Sequence, residues 1–324
     1  LIHNLKSKTG WFNHPVLIRG EKMTGTLLIQ NLVNGISLGS LYALIAIGYT
    51  MVYGILRLIN FAHGEVFMIG AYAAFYLLTA NIMPWWLAFL VGALITGILG
   101  VAIEKAAYSP LRNSPRITVL ISAIGVSFLL QNLGLLVFGA RPKAFPVPEF
   151  LLSQITISNN TFGDIKLSMI SIITPLITFV LLAILTLIIS KTKTGIAMRA
   201  LSVDFETASL MGVNVNRVIS MTFFIGSFLA AIGGMLFTSR YPQLVPHLGA
   251  MPGMKCFIAA VVGGIGSLPG AVIGGFMLGI LEIMLVAVFS SLTGWRDAIS
   301  FVLLIVILLV KPSGLMGEKT TEKV

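Results

Sequence analysis

Hydrophobic positions fall into long runs separated by short polar breaks. The runs cover about 27–56, 64–80, 85–103, 117–139, 169–190, 218–238, 256–289 and 298–310. A helix needs roughly 20 apolar residues to cross a bilayer. The pattern therefore predicts about eight spans, or nine if the glycine-interrupted run 256–289 holds two crossings or a re-entrant pair. Pro84-Trp85-Trp86 opens one span with aromatic residues suited to the membrane interface. The longest polar interval, 140–168, carries Pro142, Pro146 and Pro148 and the stretch "SNNTFGD". It predicts a loop with a short hairpin.

Composition turns this pattern into a class. The chain of 324 residues is 57% hydrophobic and 10% charged, with a mean hydropathy of +0.99. A soluble domain carries about 25% charged residues, so the surplus apolar surface must face lipid. The fold class is an all-α polytopic membrane protein. The net charge of +10 follows from Lys and Arg gathered in short loops, as the positive-inside rule expects, and no basic-aromatic patch suggests nucleic acid. That rule places 104–116 and 191–217 in the cytoplasm and 140–168 outside. Cys256 is the single cysteine, and His63 and His247 lack neighbouring ligands. No metal site, phosphate-binding loop or nucleophile elbow is legible. Any energy source lies in another chain or in an ion gradient.

Residues 1–22 are polar and have no apolar core, so they are no signal peptide. Met23 reads as the natural start and 1–22 as an extension. Residues 23–318 form one membrane unit, followed by a tail at 319–324.

The stretch "RLINFAHGEVFMIGAY" sets Arg57, Asn60, His63 and Glu65 between two apolar runs. A helix broken inside a membrane leaves backbone groups that lipid cannot satisfy, so such breaks line protected paths. A helix restarting at Gly64 would direct its positive end at that path and could hold a carboxylate. Asn60 could cap it and His63 could donate. The alternative is an ordinary interfacial turn, with Arg57 reaching headgroups and Glu65 merely capping the next helix. A second punctuated region holds Gly263, Gly264, Gly266 and Gly270, and its "PGAVIGGFMLGIL" (269–281) echoes "HGEVFMIGAYAAF" (63–75). Paired interrupted segments point to an internal inverted repeat, although helix packing explains the glycine spacing equally well.

In the loop 191–217, Ala200, Val203, Thr207 and Leu210 fall on one helical stripe, and Gly212 is a natural stop. A short amphipathic helix over 195–212 follows. Asp204 and Glu206 disfavour anionic lipid, which favours a protein partner over headgroups.

At this point "NGISLGSLYALIAIGYTMVYGILRLINFAHGEVFMIGAY", "LISAIGVSFLLQN", "GMKCFIAAVVGGIGSLPGAVIGGFMLGILE" and the ending "KPSGLMG" resemble branched-chain amino acid ABC importer permeases of the LivH type. The resemblance covers about residues 24–318. It implies a bacterial inner-membrane subunit that works with a second, LivM-type permease subunit, two ABC ATPase subunits and a periplasmic substrate-binding protein for leucine, isoleucine or valine. ATP and Mg would be used by the ATPases, with no cofactor bound by this chain. "ETASLMG" is similar to an E-A-A-x-x-x-G docking motif at Glu206, Ala208 and Gly212, with Thr207 departing from it and the downstream half not evident. The resemblance implies that Arg199, Asp204, Glu206, Ala208 and Gly212 form the ATPase-coupling surface. More distant sugar permeases resemble the chain at both punctuated regions, implying that Asn60, His63, Gly64, Glu65, Gly263, Gly264, Gly266 and Gly270 line the substrate path. A urea or short-chain amide permease and an ion-coupled secondary transporter centred on Glu65 are the competing readings.

Overall fold

The structure is a computed structural model that describes residues 25–112, 114–159 and 163–317. The readings of 1–22, Met23 and 319–324 lie outside the described residues. Helices α1 (Gly25–Leu56), α2 (His63–Thr79), α3 (Trp85–Ile103) and α4 (Arg116–Phe138) form the first half. A π-helical turn, Glu104–Tyr108, and a 3-10 turn, Ser109–Leu111, extend α3. The outer loop contains β1 (Lys143–Ala144), α5 (Glu149–Leu152), β2 (Gln154–Asn159) and β3 (Gly163–Ser168). The second half comprises α6 (Met169–Lys191), α7 (Lys193–Val203), α8 (Phe205–Leu210), α9 (Val215–Arg240), β4 (Gln243–Leu244), α10 (Ala250–Gly263), α11 (Leu268–Val288) and α12 (Arg296–Val310). Strands β2 and β3 pair antiparallel, placing Ile155 opposite Leu167, so the expected hairpin is present. Strand β1 pairs antiparallel with β4, tying the two halves together on the outer side.

Among the described residues, seven helical segments are long and apolar enough to span a membrane, α12 being extended at its start by the 3-10 turn Ser290–Trp295. Helix α2, with 17 residues, and α10, with 14, are shorter. Non-helical chain precedes each of them, at 57–62 and 241–249. The Arg57 guanidinium donates to the Ser202 carbonyl, and the Arg112 guanidinium to Asn216. These bonds gather the ends of α1, α3 and α7 on one side, with α8 and the start of α9. That side carries most of the basic loops and is cytoplasmic by the positive-inside rule. The segment 57–62 thus enters from inside and α2 continues outward. The segment 241–249 enters from outside and α10 continues inward. Counting each entry segment with its short helix gives nine crossings. Run 256–289 holds two of them, which brings the chain end inside.

The connectivity repeats with inverted direction. A long helix, a short helix and a returning helix occur as α1–α2–α3 and again as α9–α10–α11. Helix α1 packs on α10 and α11, α9 packs on α2 and α3, and α1 and α9 touch each other. The counterpart of α2 is therefore α10. The similarity of 63–75 to 269–281 does not mark equivalent elements, because 269–281 lies in α11. Its glycines serve helix packing: Gly275 and Gly279 meet α1, where a Cβ on Gly39 would stand 2.7 Å from Phe276 Cα, and Gly270 and Gly274 meet α10.

Two further expectations are corrected. The helix predicted over 195–212 is two helices, broken at Asp204. Asp204 accepts from the Glu206 and Thr207 amides at 3.0 and 3.1 Å, a capping geometry that starts a new helix and cannot be made mid-helix. The low charged fraction of the sequence leads one to expect little charge inside the membrane unit, yet four charged residues are buried there. Glu104, Lys255 and Glu282 are buried along with Glu65.

Candidate functional site

The break after α1 is built by local hydrogen bonds. The Arg57 amide donates to the Tyr53 carbonyl, closing the last turn, and Arg57 then adopts a left-handed φ of 55° that diverts the chain. Asn60 Oδ1 accepts from the Ala62 amide at 3.1 Å and from the Tyr108 hydroxyl at 2.9 Å. Asn60 therefore pins the loop to the π-helical turn rather than capping α2, whose N-cap residue, Ala62, makes no side-chain cap.

His63 opens α2 against the edge of the Tyr49 ring, with centroids 4.5 Å apart. Its ring occupies the space that a Cβ on Gly48 would fill, and its Nε2 has no partner. Glu65 lies in the first turn of α2 and is 2% exposed. Gln131 donates to Glu65 Oε1 at 3.0 Å, while Oε2 receives no donor.

Helix α10 meets α2 start to start. A Cβ on Gly64 would collide with the Gly249 carbonyl, one on Gly249 with the Gly64 carbonyl, and one on Gly253 would stand 2.8 Å from Gly64 Cα. Glycine at these positions lets two helix N-termini touch backbone to backbone within the protein. The positive ends of both helix dipoles, each roughly half a charge, converge there.

A cavity of about 210 Å³ opens beside this junction. Glu65, Ser127 and Gln131 supply its polar side chains together with the Tyr49 hydroxyl, and Phe61, Ile124, Phe128, Met254 and Phe257 its apolar wall. Of the sequence-predicted path residues, Gly64 and Glu65 line the cavity. Asn60 and His63 lie behind it, setting the loop and the packing.

Gly263, Gly264, Gly266 and Gly270 lie elsewhere, at the cytoplasmic turn between α10 and α11. Gly263 and Gly270 are in backbone contact, each leaving no room for a Cβ on the other. Gly264 and Gly266 adopt φ of 110° and 96°, which the turn requires. The chain after α12 seals this turn, with the Leu315 and Met316 amides donating to the Val262 and Gly263 carbonyls at 2.9 Å.

The residues expected to form a coupling surface gather on the cytoplasmic side. Ala208 is buried, Glu206 is exposed, and Gly212 has a φ of 85° at the turn after α8. Arg199 donates back to the Ile189 carbonyl at the end of α6. Beside Glu206 stand the exposed apolar residues Val203, Leu210 and Met211. Hydrogen bonds from the Thr207 hydroxyl and amide, then the Glu206 amide, hold the Asp204 carboxyl below the ordinary carboxylate range.

Sequence reasoning missed Tyr49, Ser127, Gln131, Gly249 and Gly253. Gln131 was detectable as an amide within the apolar run 117–139, since polar groups at membrane depth signal function. Gly249 and Gly253 carry the i, i+4 small-residue spacing of close helix contact. It also missed a buried cage around Glu282. Tyr42 donates to Glu282 Oε2 at 2.9 Å, Lys255 pairs with Oε1 at 2.8 Å, and Arg296 bonds the same oxygen. Lys255 also pairs with Asp297 at 2.6 Å.

Comparison with known proteins places the chain in a family. A family described as "Branched-chain amino acid transport system / permease component" matches residues 31–308. The high-affinity branched-chain amino acid transport system permease protein LivH of Escherichia coli K12 is 45% identical over 304 residues, 91% of this chain and 97% of its own. The corresponding BraD of Pseudomonas aeruginosa is 42% identical over 304 residues, 91% and 98% of the two chains. The ribose import permease RbsC of Haemophilus influenzae is 26% identical over 267 residues, 78% and 76% of the two chains.

Proposed function

The chain belongs to the branched-chain amino acid transport system permease family, and on that premise we propose that it is the permease subunit of a bacterial inner-membrane ABC importer for leucine, isoleucine and valine. The observation that carries this reading beyond the family is the cavity at the α2–α10 junction. It sets one buried acid and a few polar groups in an otherwise aromatic and aliphatic wall. Such a lining accepts an aliphatic side chain while leaving groups for charged ends.

In this reading a periplasmic binding protein delivers the amino acid to the outer face, and a second permease subunit completes the path. Two ATPase subunits supply the stroke with ATP and Mg, and this chain carries no cofactor. Helices α7 and α8 are the contact. Val203, Leu210 and Met211 present apolar surface to the cytoplasm, and a groove on an ATPase would bury it with Glu206 at the rim. The inverted long helices α1 and α9 would rock against each other as ATPase closure moves α7 and α8.

The test is uptake by the complete complex in proteoliposomes with its binding protein and internal ATP. Labelled leucine should accumulate, isoleucine and valine should compete, and urea should not. Accumulation by this chain without ATPases, or competition by urea stronger than that by valine, overturns the reading. Leu210→Asp should separate the ATPases from the permease pair during purification while leaving the pair intact.

A further inference from the structure

The cavity beside the α2–α10 junction holds a buried acid with no base. Among its lining residues there is no Lys, Arg or Asp. Glu65 is approached by neutral donors, the Gln131 amide at Oε1 and the Ser127 hydroxyl, and Oε2 is left without a geometric hydrogen bond. A carboxylate taken from water without a cationic partner is strongly disfavoured, and a cationic ligand bearing N–H donors would relieve it. The neighbouring end of α10 has the opposite need. No side chain caps it, and its first turn holds no acidic residue. Its positive dipole end stands against Gly64, one residue from Glu65. The two demands lie side by side in one cavity, next to an apolar wall. At about 210 Å³ the space is below the ~300–1,000 Å³ of sites for drug-sized ligands, and suits a molecule of few heavy atoms.

We propose that this cavity binds the zwitterionic head of a free α-amino acid, its ammonium on Glu65 Oε2 and its carboxylate over the first turn of α10, so that the permease itself reads the amino acid. An aliphatic side chain then rests on Phe61, Phe128, Met254 and Phe257. The inference rests on the reading of the chain as an amino acid permease subunit. It adds a selectivity step inside the membrane, after release from the binding protein.

The experiment uses the whole complex in nanodiscs, without binding protein, and measures ligand binding by saturation-transfer NMR. The probes are leucine, 4-methylpentanoate, which lacks the ammonium, and 3-methylbutylamine, which lacks the carboxylate. Leucine should bind at least about tenfold more tightly than either analogue, the scale of one hydrogen bond to a charged group. Glu65→Gln, in complex that still co-purifies with all subunits, should weaken leucine by about tenfold or more and leave 4-methylpentanoate unchanged. Phe128→Trp, at the exposed edge of the wall, should weaken all three probes. If 4-methylpentanoate matches leucine on the unaltered complex, the ammonium is not read and the proposal fails whatever the variants do. It fails equally if Glu65→Gln binds leucine normally, or weakens leucine and 4-methylpentanoate alike. The uptake assay above is scored separately: ATP-driven leucine uptake with no head-group discrimination would leave the permease reading standing and remove only this one.

Discussion

Glu65 and Glu282 are both 2% exposed and both lie next to α10, yet their surroundings are opposite. Glu282 sits in a closed cage of Tyr42, Lys255 and Arg296, drawn from α1, α10 and the start of α12. Glu65 has a neutral amide and a hydroxyl beside it, no cation, and an unbonded Oε2 at a cavity. The cage offsets its own desolvation and binds four helices together. The other acid leaves its demand open for something that arrives. Burial alone does not distinguish structure from function, whereas the completeness of the partner set does.

This contrast can be broken most forcefully at the cage. Glu282→Ala strips Lys255 and Arg296 of their shared acid, and breaking a buried pair costs about 3–5 kcal/mol. The purified complex should unfold at a markedly lower temperature or fail to accumulate. Glu65→Gln should move the same unfolding temperature little, because no cation loses its partner. A large drop there would place Glu65 among structural acids.

The two glycine junctions sharpen the comparison at the next level. Gly270→Ala drives a methyl into the Gly263 carbonyl at the sealed turn, an overpacking worth about 1–3 kcal/mol. It should lower thermal stability. Leucine binding by complex that survives purification should be unaltered, because the turn is remote from the cavity. Tyr42→Phe should cost about 1.5–3 kcal/mol, the value of a hydrogen bond to a charged acceptor, with packing preserved. The smallest effect belongs to Asp204. Its carboxyl is held below the ordinary range by Thr207, so the cap persists from neutral pH down through that range and is lost only as pH falls through the lowered value. Amide exchange at Glu206 and Thr207 should be insensitive to protonation of Asp204 between pH 8 and 5, once the intrinsic exchange rate is removed, and should quicken in stronger acid.

Much of the scaffold was legible in the sequence, because lipid imposes a simple rule on apolar runs. The span read over 85–103 coincides with α3, and the restart of α2 at His63 followed from the polar interruption. The start of α10 was hidden. Lys255 marks it as loop by composition, but Glu282, reached across the fold, makes Lys255 a buried helical residue. The site was half legible for a similar reason. Glu65 stands out within its own segment, whereas Tyr49, Gln131 and Gly253 join it only when α1, α4 and α10 converge. Asp204 illustrates the reverse: an N-cap signal was present with Thr207 three residues on, and the apolar stripe drawn through it concealed the break.

The inverted crossover of the two halves has a bearing on biogenesis. Helix α1 emerges long before the neighbours that cover its glycine face, α9, α10 and α11. The bond between Tyr42 and Glu282 joins positions 240 residues apart. At ~5–20 residues per second of translation, α1 waits on the order of 10 to 50 s for that partner. Through that interval its serines and tight glycine surface must be sheltered by the insertion machinery. Final compaction is therefore a late event, governed by delivery of the second half to the bilayer.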